Sequence, residues 1–132
     1  MCESQAVSPL VVASFGVTSN SENRFKKNQF MTRREKIEER LQIEPDDVFL
    51  NYSYAMELTK LGEEAAARSA FRRVRELDAD YVSGYFQEGQ FLAGLGDVDE
   101  ARSILQAGIA VARRIGDTHA LGEMTDFLDN LT

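Results

Sequence analysis

The sequence has few of the residues that crosslink, kink or anchor a chain. Its 132 residues include a single cysteine, Cys2, which excludes an intrachain disulfide and suits a reducing cytoplasmic location. Only two prolines are present, so long helices are allowed. No stretch approaches the roughly 20 consecutive apolar residues that a membrane-spanning helix needs. These absences predict one globular, cytoplasmic domain that does not cross a membrane.

Groups that catalyse reactions or bind metals are also scarce. His119 is the only histidine, and no Ser-His-Asp set, metal-ligand spacing or glycine-rich phosphate loop is present. Asp97-Val98-Asp99-Glu100 lacks the glycine and the twelve-residue pattern of a calcium loop, and it fits acidic groups at a helix start better. The sequence therefore predicts no enzyme activity, no catalytic residue, no cofactor and no metal site.

Basic residues are fewer than acidic ones, and the imbalance differs between the two parts of the chain. The net charge is −7, but residues 1–30 carry three basic and two acidic groups. Residues 31–132 therefore carry twelve basic and twenty acidic groups, which gives −8. An acidic domain repels the phosphate backbone, so nucleic acid is excluded as a partner.

Residues 1–30 differ in character from the rest and are predicted to be a disordered N-terminal extension. Serine, asparagine and glutamine are frequent there, and the apolar run Pro9–Val17 is too short and interrupted for a signal peptide. Met31 stands immediately before a helix cap. One hypothesis is that Met31 is the natural start. A genuine disordered tail is the alternative, and both stay open.

What the chain does contain is a repeat. Leu61-Gly62 and Leu95-Gly96 lie thirty-four residues apart, and each is followed at equal offsets by Ala-Arg-Ser. When Val48–Tyr81 is laid over Val82–Ile115, seven of the thirty-four positions are identical, and six of them fall between Leu58 and Ser69. A fixed period of this length predicts stacked helical hairpins.

Cap and stop signals divide residues 31–132 into helices. Thr32-Arg33-Arg34-Glu35 is a capping box, and Gly62 and Gly96 are helix stops. Asp46 and Asp47 both offer an acidic cap to the second helix, and Asp80, Asp97 and Asp117 are predicted to cap the helices that follow them. Six helices are expected, at about 32–43, 47–60, 63–77, 80–94, 97–114 and 118–130.

Two helices of a hairpin can cross closely only where their side chains are small. Ala55 and Gly89 on the first helices, and Ala67 and Ala101 on the second, meet this need. Larger side chains are predicted to fill the adjoining space: Leu58 and Phe71 in one hairpin, Leu92 and Leu105 in the other.

These residues resemble the pattern of the tetratricopeptide repeat family: a small residue, a leucine-glycine turn, an alanine and a bulky residue four positions later. The resemblance implies an all-α, tetratricopeptide-like stack of helical hairpins, a fragment of a right-handed α-solenoid. Residues 48–81 would be repeat 1 and residues 82–115 repeat 2, with capping helices at 32–44 and 117–131. Asn51 departs from the pattern where an aromatic is usual, and Glu88 where a buried leucine is common.

The resemblance also implies a function, a scaffold or adaptor that binds a protein or peptide in the concave groove lined by the first helices. The groove positions here are Phe49, Tyr52, Met56, Lys60, Ser83, Phe86 and Gln90. The lysine-asparagine clamp that some members use for a terminal carboxylate is absent. Two alternatives stay open: flanking helices cover these residues, or the chain is a structural homo-oligomer that associates through an open repeat face.

Overall fold

The computed structural model describes residues 31–131, which form α-helices and turns without a strand. The predicted tail, residues 1–30, lies outside this part of the chain. The described helices are α1 Arg33–Ile43, α2 Val48–Lys60, α3 Glu64–Leu77, α4 Val82–Gly94, α5 Val98–Ile115 and α6 Thr118–Asp129. The all-α prediction is confirmed, and every predicted helix boundary lies within two residues of the observed one.

Side-chain caps begin several of the helices as the sequence predicts. At α1, the Glu35 amide donates to the Thr32 hydroxyl at 3.2 Å, and the Glu35 carboxylate accepts from the Thr32 amide at 3.0 Å. Asp47 and Asp117 each accept from the amide three residues further on, at 2.8 and 3.0 Å. Each bond satisfies an amide that has no partner inside its helix.

The predicted cap at Asp80 is wrong, and the one at Asp97 is only half right. Helix α4 begins after Tyr81, and the Asp80 carboxylate instead forms an ion pair with Arg114 at the end of α5. Asp97 does precede α5, but its carboxylate accepts from Arg68 at 2.8 Å and makes no cap. In both cases a distant guanidinium competes with the local amide for the carboxylate.

Glycine ends the first helix of each hairpin. Gly62 and Gly96 have φ of +75° and +85°, a left-handed conformation that costs little without a Cβ. After Gly62, the Glu63 amide donates to the Leu58 carbonyl at 3.1 Å, and Asp97 donates to Leu92 in the same way at 2.9 Å. These bonds close Schellman motifs, so the two repeats turn with the same geometry.

The tightest packing lies within the hairpins, where α2 lies against α3 and α4 against α5. Ala55, Ala67 and Ala101 are fully buried. A Cβ added to Gly89 would come within 2.6 Å of the Leu105 side chain. The predicted small residues at the helix crossings are confirmed. So are the large ones: Leu58, Phe71, Leu92 and Leu105 are all fully buried.

The two departures from the repeat pattern are both satisfied by polar partners. The Asn51 side chain donates to the Pro45 carbonyl at 3.0 Å, and thirty-four residues later the Tyr85 hydroxyl donates to the Ala79 carbonyl at 2.9 Å. The Asn51 amide and the Tyr85 hydroxyl thus form hydrogen bonds to the same turn at equivalent positions of the two repeats. Glu88 is buried, and it forms an ion pair with Arg75 across the hairpins.

Helix α6 packs on α5 and closes a second cluster of apolar side chains. Its Met124 is fully buried with Tyr85, Leu105 and Ala112. Gly108 of α5 allows this approach, because a Cβ there would lie 2.6 Å from the Tyr85 Cβ and 2.7 Å from the Met124 sulfur. Among the described helices, none is both long and apolar enough to cross a membrane.

Candidate functional site

The predicted groove residues come from one face each of α2 and α4, the first helices of the two hairpins. Phe49, Tyr52, Met56 and Lys60 follow one another at intervals of three or four residues along α2, and Ser83, Phe86 and Gln90 do so along α4. Such spacing places them on one side of a helix. Phe49, Lys60 and Ser83 are exposed, whereas the other four are half-buried.

Tyr52, in the middle of the α2 face, is held by a second aromatic ring. The centroids of Tyr52 and Tyr81 lie 5.2 Å apart, and the ring planes are inclined at 55°. Burial raises the pKa of the Tyr52 hydroxyl above its usual value, and the neighbouring Tyr81 raises it further. Tyr52 therefore offers a ring of fixed orientation that stays neutral at physiological pH.

Phe86, thirty-four residues after Tyr52, has its aromatic partner on α6. Its ring meets that of Phe127 edge to face, with centroids 6.0 Å apart and planes at 79°. Phe86 remains half-buried in this contact. Helix α6 therefore covers part of the α4 face, as one of the alternatives from the sequence expects, but leaves part of the Phe86 side chain exposed.

Met56 connects the α2 face to the core of the first hairpin. It packs against the cluster that contains Ala55, Leu58, Ala67 and Phe71. Its backbone carbonyl accepts a hydrogen bond of 2.7 Å from the Thr59 hydroxyl. Because the Met56 backbone is held in the helix and its thioether side chain is flexible, the side chain can adapt to different apolar groups.

Two carboxylates, those of Asp47 and Asp78, lie near the Tyr52–Tyr81 end of the α2 face. Burial, followed by the charges of Asp78 and Asp47, raises the pKa of the Tyr81 hydroxyl. Asp47 caps α2, and Asp78 accepts from the Asp80 amide at 2.9 Å, so both carboxylates are fixed by backbone bonds. At this end of α2, negative charge lies within electrostatic range of the Tyr52–Tyr81 pair.

A separate pocket of about 370 Å³ opens between the end of α1 and the first hairpin. Its lining shares no residue with the predicted groove, and it consists of Leu41, Pro45, Asn51, Tyr54, Ala66, Ser69, Ala70 and Arg73. Ala66 and Ala70 correspond, thirty-four residues on, to the larger Glu100 and Ile104.

Residues 31–131 hold no group of three or more side chains arranged to bind a metal ion. His119 lies exposed in the first turn of α6, where its Nε2 is 3.2 Å from a Glu123 carboxylate one turn later. The α2 and α4 faces present apolar and aromatic surface with a few polar groups around it, a composition typical of binding surfaces.

The sequence does not indicate Tyr81 and Phe127, the aromatic neighbours of Tyr52 and Phe86. Tyr81 lies in the turn before α4, and Phe127 faces α4 from a helix predicted only as a cap. Tyr81 is the last residue of repeat 1, but its counterpart in repeat 2 is Ile115, so the repeat does not indicate an aromatic there. Phe127 lies beyond both repeats.

Comparison with known proteins supports the fold. A tetratricopeptide repeat domain protein from Salinibacter ruber, solved by NMR in solution, is 33% identical over 64% of this chain and 85% of its own length, with a TM-score of 0.60. A crystal structure of a tetratricopeptide repeat domain protein from the same organism is also 33% identical to this chain. The match covers 62% of this chain and 92% of the other, with a TM-score of 0.57.

A third solved structure, that of a Bordetella parapertussis protein in solution, is 25% identical to this chain. The match covers 77% of this chain and 89% of the other, with a TM-score of 0.69. No protein-family profile and no curated protein sequence matches the chain.

Proposed function

Because the chain belongs to the tetratricopeptide repeat family, whose helical-repeat folds typically mediate protein interactions, we propose that it is a non-enzymatic, cytoplasmic adaptor. It binds a peptide or a protein segment through the groove residues of α2 and α4. These are Phe49, Tyr52, Met56, Lys60, Ser83, Phe86 and Gln90.

One observation carries this proposal: Tyr52 and Phe86 occupy equivalent places in the two repeats, and both are half-buried rather than sealed. Each ring is braced by another aromatic, at 5.2 and 6.0 Å between centroids. Braced, partly exposed aromatics lose little conformational entropy when they bind, which is why such residues dominate the energy of many interfaces.

The test is capture of partners from native lysate by the wild-type protein and by the Tyr52→Ala, Phe86→Ala variant. We expect proteins captured by the wild type to be lost from the variant. Circular dichroism must show that the variant stays folded, because Phe86 also contacts Phe127.

A matched control is Leu61→Ala, Leu95→Ala, which removes two exposed apolar side chains from equivalent helix ends outside the groove. This control is expected to capture the same proteins as the wild type. Identical capture by a folded groove variant would reject the groove as the binding site.

Self-association of the chain is the second candidate function, and one observation favours it. Ile43 and Phe49 are large, apolar and 77% and 64% exposed, on either side of the turn between α1 and α2. Two copies that met there would bury both side chains. Light scattering over a range of concentrations tests this idea, since a mass that stays monomeric throughout rejects it.

A further inference from the structure

The helical part of the chain carries a net negative charge. Residues 33–132, which span all six helices, contain twenty acidic and twelve basic side chains, a net charge of −8. Without the first four residues of α1, residues 37–132 contain nineteen acidic and nine basic side chains, a net charge of −10. Most of the basic side chains are engaged in ion pairs with acidic ones, namely Arg40, Arg68, Arg73, Arg75, Arg102 and Arg114. The net field around this part of the protein is negative and attracts cationic partners.

The seven groove residues add almost no positive charge that would offset this negative field. Lys60 is the only cationic side chain among the seven groove positions, and it lies in the last turn of α2. At the other end of α2, Asp47 caps the helix two residues before Phe49, and the Tyr81 amide donates to the Asp78 backbone carbonyl at 3.2 Å. Burial raises the pKa of the Tyr81 hydroxyl, and the charges of Asp78 and Asp47 raise it further. That hydroxyl belongs to the ring that braces Tyr52.

Asp47 and Asp78 can each take a further hydrogen-bond donor. Asp47 accepts one backbone amide at 2.8 Å and Asp78 accepts one at 2.9 Å. A carboxylate has about four lone-pair sites, so these bonds fix its direction without using its full capacity. Ammonium and guanidinium groups are the donors that bind most strongly to such a site.

We propose that the partner segment is a basic peptide. Its apolar side chains pack on Tyr52 and Phe86, and its lysine or arginine side chains lie against Asp47 and Asp78. This inference rests on the proposed function, because it names the chemistry of the segment that the groove binds. Charge complementarity selects the segment and speeds its encounter, while the aromatic rings supply the apolar contact.

The test uses the full chain and two synthetic peptides of equal length. Both carry leucine and serine at the same positions, and the remaining positions are lysine in one peptide and glutamate in the other. Binding is measured by fluorescence anisotropy. We expect the lysine peptide to bind and the glutamate peptide not to bind. The affinity should fall as the salt rises from about 0.01 M to about 1 M, which shortens the screening length from ~30 to ~3 Å.

The Asp47→Asn, Asp78→Asn variant removes both charges while each amide oxygen can still accept its backbone bond, and asparagine is a good helix cap. The lysine peptide should bind this variant about threefold to tenfold more weakly than the wild type. The control Glu64→Gln, Asp99→Asn removes two charges from the first turns of α3 and α5. It should change the affinity less.

The outcomes separate this inference from the function on which it rests. If both peptides bind equally and Tyr52→Ala, Phe86→Ala weakens both, the groove stands and the basic partner is overturned. Equal losses in the groove-charge variant and its control would show a diffuse field with no site at Asp47 and Asp78, which also overturns the inference. If neither peptide binds the wild-type protein, the inference fails as well.

Discussion

Glu88 shows how one residue can depart from a repeat pattern without breaking the fold. It lies in the interior of α4, where the family commonly has a leucine, and its side chain is only 4% exposed. The Arg75 guanidinium pairs with it from α3, and burial lowers the pKa of that guanidinium. Glu88 has lost almost all of its water and Arg75, which is 26% exposed, has lost most of it, so the pair gains less than the attraction between two isolated charges suggests.

We therefore predict opposite effects from breaking the pair and from replacing it. Arg75→Met leaves Glu88 buried without its partner, so the free energy of unfolding should fall by about 3–5 kcal/mol. Adding Glu88→Leu to Arg75→Met should restore most of that loss, since the double variant holds two apolar side chains of similar length. Urea unfolding measures both. A double variant no more stable than Arg75→Met would contradict this account.

Tyr52 predicts a pH dependence of stability. Its pKa is raised in the folded protein by burial, and then by Tyr81, above the value near 10 of an exposed tyrosine. The folded state therefore holds this proton more tightly than the unfolded state does. That contribution to stability is complete below about pH 10 and is lost as the pH rises through the folded pKa.

Tyr52→Phe should remove one tyrosine that ionises late and should reduce the loss of stability above about pH 10. Tyrosinate absorbance during an alkaline titration measures the ionisation directly, and the absence of tryptophan leaves that signal clear. The idea is wrong if the group missing from the Tyr52→Phe titration is one that ionises at the usual tyrosine value.

At the scale of elements, the helix crossings determine at which glycines an added side chain would disturb the packing. Gly108 lies in α5, where an added Cβ would come within 2.7 Å of side chains from both α4 and α6. Gly122 lies in α6, where an added Cβ would face open space. Both are interior helical residues with no demand for a positive φ. The same substitution at the two sites therefore separates packing from helix propensity.

Gly108→Ala should destabilise the protein by about 1–3 kcal/mol, because Tyr85 and Met124 would have to move. Gly122→Ala should stabilise it by about 0.5–1 kcal/mol, since alanine loses less backbone entropy in a helix. Thermal melting followed by circular dichroism measures the two changes. Equal shifts in the same direction would show that α5 is not packed as tightly as the distances indicate.

Residues close to the helix ends predicted the positions of the helices well. The predictions failed where a side chain is bound by a residue far away in the sequence. The Leu-Gly turns and the box at Thr32 are completed by residues within five positions, so sequence alone locates them. Asp80 looks the same as Asp47 in sequence, yet Arg114 takes its carboxylate from thirty-four residues away. The groove positions come from the resemblance to the family and stay a prediction, whereas the contacts of Tyr52 and Phe86 with Tyr81 and Phe127 depend on how separate helices meet.

At the scale of the molecule, burial is distributed unevenly along residues 37–131. The second hairpin and α6 share one cluster around Tyr85, Leu105, Ala112 and Met124. Helix α1, in contrast, buries only Ile37. In stacked repeats each unit is stabilised mainly by its neighbours, so a helix that buries little should open most readily.

Hydrogen exchange should therefore show a gradient of protection. We expect amides in residues 38–43 of α1 to exchange faster than those in the middle of α4 and α5, whose opening must expose fully buried Leu92 and Leu105. Ile37→Ala should speed exchange in α1 further and leave α5 almost unchanged, because each repeat contacts mainly its neighbours. Exchange measured residue by residue by NMR decides the matter. If all the helices open with one common free energy, the stack unfolds as a single cooperative unit and this gradient does not exist.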